Sequence, residues 1–199
     1  LESGLPLYGF QCGGYWCDIG NAPAYLQANF DSLDGKTGVL PGKFKGGVYS
    51  LSSVPDYCRI YPPCYIGKDV KLGAGASVGP YAVIGDHARV GDGARIRSSV
   101  CSGCDIGSGA DIFGAYIADG CSVGQAVTIE KNAVIGARVT IGGNSKIFEG
   151  VTISSDISVA CDSEVRFSLT GAAMCGAPLF SEGGEITLPL KSEGLESSI

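Results

Sequence analysis

Large aliphatic residues recur at every sixth position through the middle of the chain. Ile60, Ile66, Leu72, Val78, Ile84, Val90 and Ile96 form one run. Val123, Ile129, Ile135, Ile141, Ile147, Ile153, Val159 and Val165 form a second. A fixed six-residue period of this length predicts a parallel β-helix. Two positions before each aliphatic stands a small or β-branched residue: Cys64, Val70, Ala76, Ala82, Ala88 and Ala94, then Cys121, Val127, Ala133, Val139, Ser145 and Val151. Residues spaced by two share one face of a strand, so each hexad sends one large and one small side chain inward. Three hexads make a triangular coil, and coils stack at about 4.8 Å. The fold class expected is mainly β, a prism of about six coils over residues 57–167.

The other hexad positions refine this picture. Gly follows the aliphatic at Gly67, Gly73, Gly79, Gly85, Gly91, Gly124, Gly136 and Gly142, which suggests sharp corner turns there. Between the runs the spacing slips through Ile106, Ile112 and Ile117. Val100 and Cys104 are assigned to the inward positions of that gap. One irregular coil with a shortened hexad accounts for the slip without a domain break.

The flanks lack the period. Residues 7–10 and 14–20 read as two strands. Asn21 then reads as an N-cap, Ala22 and Pro23 open a helix, and Gly35 closes it. Tyr25, Leu26, Phe30 and Leu33 give that helix an apolar face. Residues 36–56 read as a linker with a short strand at 48–51. Residues 168–199 form a tail, with a possible strand at 185–190 and nine disordered residues at the end.

Composition narrows the function classes. The net charge of −6 argues against a nucleic-acid or anionic-membrane partner. There is no apolar run of 18 residues, so no membrane-spanning helix is expected. Nine cysteines are present, and Cys64, Cys104 and Cys121 fall on the small inward position, where a thiol acts as a small hydrophobe. Reduced thiols and a cytoplasmic location are the expectation. Cys101 and Cys104 form a CxxC without a second pair or a His pair at zinc spacing. The chain begins without Met and in mid-pattern, as a piece of a longer chain would.

The segment GYWCDIGNAPAYLQAN, residues 14–29, resembles the end of the catalytic domain of sugar-phosphate nucleotidyltransferases, above all mannose-1-phosphate guanylyltransferases. PPCYIGKDVKLGAGASVGPYAVIGDHARVG and RSSVCSGCDIG extend the likeness into the hexads. The resemblance implies that residues 1–35 are a strand–turn–helix remnant of an α/β nucleotidyltransferase domain, and that the prism is left-handed. It implies that Asp18 helps hold Mg²⁺ beside the phosphates in the full-length enzyme, whose substrates would be a sugar-1-phosphate and a nucleoside triphosphate. The family's glycine-rich nucleotide loop, second metal-ligating Asp and sugar-binding Lys have no counterpart in these residues. No catalytic or cofactor-binding residue is therefore assigned, and the fragment is expected to be inactive. From the residues alone the favoured reading of Asp18 is a surface or capping Asp before a helix; the resemblance brings the two readings level.

Two readings of function follow. One is an assembly or regulatory β-helix of a nucleotidyltransferase, forming a homo-oligomer. The other is a hexapeptide-class acyltransferase. The second needs a histidine base, and His87 is the single histidine, placed at a corner where a solvated turn residue is the plainer reading. Phe113, Tyr116 and Phe148 sit beside inward aliphatics and point outward, either as a self-association surface or packed under the N-terminal segment.

Overall fold

The computed structural model describes residues 8–11, 13–39 and 44–170. It is a parallel β-solenoid of about seven turns, preceded by one helix and a hairpin. Face A comprises β1 (Phe44–Lys45), β2 (Val48–Ser50) and six further strands running from Cys64–Ile66 to Thr152–Ile153. Face B has six strands, from Lys71–Leu72 to Ser158–Val159, and face C seven, from Arg59–Ile60 to Glu164–Val165. Every pairing is parallel except that of β1 with β2. β2 pairs in parallel with Cys64–Ile66, so the first rung of face A precedes residue 57.

The inward ladder is as the period demands. All twelve small positions are buried, and so are the aliphatics from Ile66 onward; Ile60, in the first coil, is half-buried. At the far end Leu169 bridges Ile153 in parallel and is itself buried.

The structure corrects three expectations in the prism. The coils number about seven rather than six, because β2 adds a rung and the central coils are short. Val100 pairs with Val83 and Tyr116, at separations of 17 and 16 residues. Three hexads, not one, have lost a residue: Ile96 to Cys101, Cys101 to Ile106, and Ile112 to Ile117. Cys101, aligned with Ile84 and Ile117, fills the large inward position, while Val100 points outward.

The third correction concerns the corner glycines. A positive φ falls two residues later, as at Asp69 (54°), His87 (60°) and Asn144 (58°), side chains that tolerate the left-handed region, and of the eight glycines Gly79 alone also has one, 96°. Gly124 is needed for proximity instead. A Cβ there would lie 2.5 Å from the Gly143 nitrogen of the next coil.

The helix α1 spans Ala22–Leu33. Asn21 caps it by accepting a hydrogen bond from the Ala24 N–H at 2.9 Å. Gly35 follows with φ 77°. The strands expected at 7–10 and 14–20 are absent among the described residues 8–11 and 13–20. A strand exists through its pairing, and no described segment offers these residues an edge. The features expected at 185–190 and at the last nine residues lie outside the described residues.

Candidate functional site

The two face types of the prism carry different chemistry. The inward side is an apolar column broken by the buried Ser99, Ser145 and Ser163. The outward side of face A is apolar as well: Tyr49, Tyr65, Val83, Val100, Tyr116 and Val134 stand in register, one per coil. This second ladder is what α1 covers. The Tyr25 ring meets Tyr116 edge-on at 5.3 Å, and Phe30 meets Tyr81 at 5.4 Å. Val83 stands on the rung beside Tyr81 and Val100 between it and Tyr116, and Val100, Leu26 and Leu33 are buried. An edge-to-face pair of this kind adds about 0.5–1.5 kcal/mol beyond the area buried.

Polar contacts fasten the C-terminal end of the helix. The Tyr81 hydroxyl donates to Asp34 Oδ1 at 3.0 Å. Lys36 Nζ reaches Asp31 at 2.7 Å and Asp34 at 3.1 Å. Asp31 also accepts from the Tyr15 hydroxyl and from Gln27 Nε2, each at 3.0 Å. The hydrogen bond from Lys36 holds the Asp31 carboxyl below its ordinary range. Tyr15 thereby ties the segment before the helix to the helix.

Asp18 lies on that segment, exposed, three residues ahead of the cap. Asn21 performs the capping, so Asp18 is free of that role. Beside α1 is an open cleft of about 420 Å³ lined by Ile19, Gly20, Asn21, Ala22, Tyr25, Tyr116 and Val134. Mg²⁺ asks for several oxygen ligands in octahedral geometry. Among the described residues no group of three metal-ligating side chains converges.

The remaining candidates separate. His87 sits at a corner with φ 60°, 71% exposed, and its Nδ1 is 3.7 Å from Asp69 Oδ2. Tyr116 is under α1. Phe148 lies between Lys146 and Arg166, whose cationic groups stand 4.4 and 4.0 Å from its ring centre. Phe113 is 44% exposed and carries Arg97 at 5.3 Å. The proposed self-association surface is therefore reduced to Phe113.

The described cysteines are free thiols. Burial pushes Cys64 and Cys121 up to about 11. The Cys101 thiol in hydrogen-bonding contact, and then burial, push Cys104 higher still. Such thiols stay protonated and unreactive at neutral pH.

Packing under the N-terminal segment, one of the two alternatives open for the outward aromatics, holds for Tyr116; the rest of the apolar ladder was not foreseen. Its signal was nonetheless present: the residue just before each inward aliphatic is polar or charged on the other two faces, whereas those at 65, 83, 100, 116 and 134 are aromatic or aliphatic.

Fold and inward ladder together define a hexapeptide β-helix. Within that class the chain belongs to the family of the EIF2B subunit epsilon LbH domain, whose model matches residues 62–165, more than half of the chain. No curated protein matches the sequence. Among solved structures, the UDP-N-acetylglucosamine O-acyltransferase of Moraxella catarrhalis is similar at 22% identity, with TM-score 0.33, over 61% of this chain and 66% of that one. PerB of Caulobacter crescentus, solved with CoA and GDP-perosamine, is similar at 20% identity, with TM-score 0.36, over 70% and 57%. The chain thus spans less than two thirds of either structure.

Proposed function

We propose that this chain is the β-helix part of a sugar-1-phosphate nucleotidyltransferase of the mannose-1-phosphate guanylyltransferase kind, and that the prism serves assembly and not chemistry. The supporting observation is the helix dock. One outer face of the prism is given over to holding α1, the helix that directly follows the Gly-Tyr-Trp-Cys-Asp-Ile-Gly segment. A prism that fixes that helix also fixes the direction in which Asp18 projects. In this reading Asp18 contributes one carboxylate to a divalent cation in the complete enzyme, and prisms associate into a homo-oligomer. A neutral amide is a poor ligand for a hard cation.

The assay is pyrophosphate release from GTP and mannose-1-phosphate. The 199 residues alone are expected to release none. The full-length enzyme is expected to be active, and Asp18→Asn within it is expected to keep the fold and lose most turnover at low Mg²⁺. Turnover by the 199 residues alone would contradict the assembly role, and wild-type behaviour of Asp18→Asn would remove Asp18 from the metal site.

Acyl transfer is the second reading. The observation in its favour is the His87–Asp69 approach at 3.7 Å, the one imidazole–carboxylate pair of the described residues. A working base is held close to the proton it removes and oriented by its partner; both side chains here are more than 60% exposed. If the prism acylates a nucleotide-sugar amine, acyl-CoA is consumed and His87→Ala abolishes the consumption. No acyl-CoA consumption by the wild-type chain removes this reading.

A further inference from the structure

Faces B and C are sharply polarised along the prism axis. In the first three coils their outward strand residues are Arg59, Lys71, Ser77, Arg89, Arg95 and Arg97. Five are cations and none is an anion, in a chain whose net charge is −6. Lys71 stands directly opposite Arg89 in the neighbouring rung, and Ser77 pairs with both Arg59 and Arg95. Like charges directly opposite one another destabilise a sheet. Below this level the pattern reverts to mixed charge and hydroxyl groups, with Asp105, Ser122, Thr140 and Ser158 continuing the face B column.

Internal pairing absorbs only part of this charge. Among the described residues Arg59 and Lys71 take part in no ion pair. Arg95 and Arg97 share the single carboxylate of Asp111, each at 2.9 Å, and Arg89 approaches Asp105 only to 3.8 Å. The corner between the two faces is built from Gly73, Ala74 and Gly75, then Gly91, Asp92 and Gly93. Asp92 is turned onto the preceding coil, accepting from the Ala74 N–H at 2.7 Å. The corner is low in relief, and long basic side chains flank it on both sides.

We propose that this corner of the first three coils is a docking surface for an acidic protein segment, which lies along the prism axis with its carboxylates against Lys71 and Arg89 on one side and Arg59 and Arg95 on the other. Guanidinium groups match carboxylates in a two-bond fork. The chain's overall negative charge disfavours a long polyphosphate, whose field extends well beyond the patch, more than it disfavours a short run of carboxylates. The surface is remote in sequence from Asp18 and does not depend on the nucleotidyltransferase reading.

The test is fluorescence anisotropy with a labelled peptide of eight glutamates interleaved with glycine and serine, at low ionic strength. Wild-type chain is expected to bind it, and to lose about tenfold in affinity between 50 and 200 mM salt. Lys71→Glu with Arg89→Glu is expected to weaken binding at least tenfold. Lys131→Glu with Arg166→Glu, lower on the prism, should change it less than about twofold. Should the reversed pair fail to fold, Arg59→Gln with Arg95→Gln is read instead, with the thermal midpoint as control. No binding by wild type, equal losses from the upper and lower pairs, or tighter binding of a uridine oligonucleotide of equal charge would each overturn the proposal.

Discussion

At the scale of the residue, the hexad assigns each side chain a distinct task, and substitutions separate the tasks. Ile135 is fully buried on the large inward ladder. Ile135→Asp places a carboxylate where no polar partner exists, at a cost of several kcal/mol. Lys131 stands at a corner with Glu149 at 3.2 Å, both about half exposed. Lys131→Ala should cost no more than about 0.5 kcal/mol. Thermal midpoints measure both, and equal losses would contradict the register. Gly124→Ala forces a Cβ against Gly143 and should destabilise by about 1–3 kcal/mol. Ala126, two residues on, has φ 54°. Ala126→Gly relieves left-handed strain and should raise stability by about 0.5–1 kcal/mol, the reverse of the usual effect of glycine. The inward positions were legible because nearly all are Ile, Leu, Val or Ala. Cys101 was not, since a thiol in the large position breaks the aliphatic pattern that identifies it. The role of the glycines other than Gly79 was misjudged because contact between coils is a property of stacking, which a six-residue repeat does not display.

At the scale of the element, α1 depends on what lies beneath it. A helix of 12 residues is marginal alone in water. Its N-cap and its buried Leu26 and Leu33 help only while face A is available. Leu26→Asp should release the helix and lower helical circular dichroism, while the strands of the prism keep their signal. Loss of both signals together would mean that the helix and the prism form one cooperative unit. The helix itself was read correctly from Asn21, Pro23 and Gly35, each a local signal. The preceding strands were read from equally good local signals and are absent among the described residues, because strand formation requires a partner edge that local sequence cannot supply. The dock was foreseen only as an alternative for Tyr116, for a related reason: its residues lie 16–18 apart, and their alignment appears only once the shortened hexads are placed.

At the scale of the whole molecule, each coil contacts only its neighbours, so stability accumulates along the axis. The three outer surfaces are then free to differ. Face A holds the helix, the upper parts of faces B and C present cations, and the lower parts carry paired charges. The assembly role rests on the first of these, a helix fixed to the prism and not tethered beside it. Native hydrogen exchange of the 199-residue chain tests this most directly. Amides of 22–33 should be protected to within about tenfold of the adjoining strand residues 82–84 and 116–117, because opening the helix exposes Val83, Val100 and Tyr116. Tyr116→Ser should remove that protection and leave the strands at 128–153 unchanged. Exchange of 22–33 in the wild-type chain at the rate of an unstructured peptide, with the prism protected, would contradict the account.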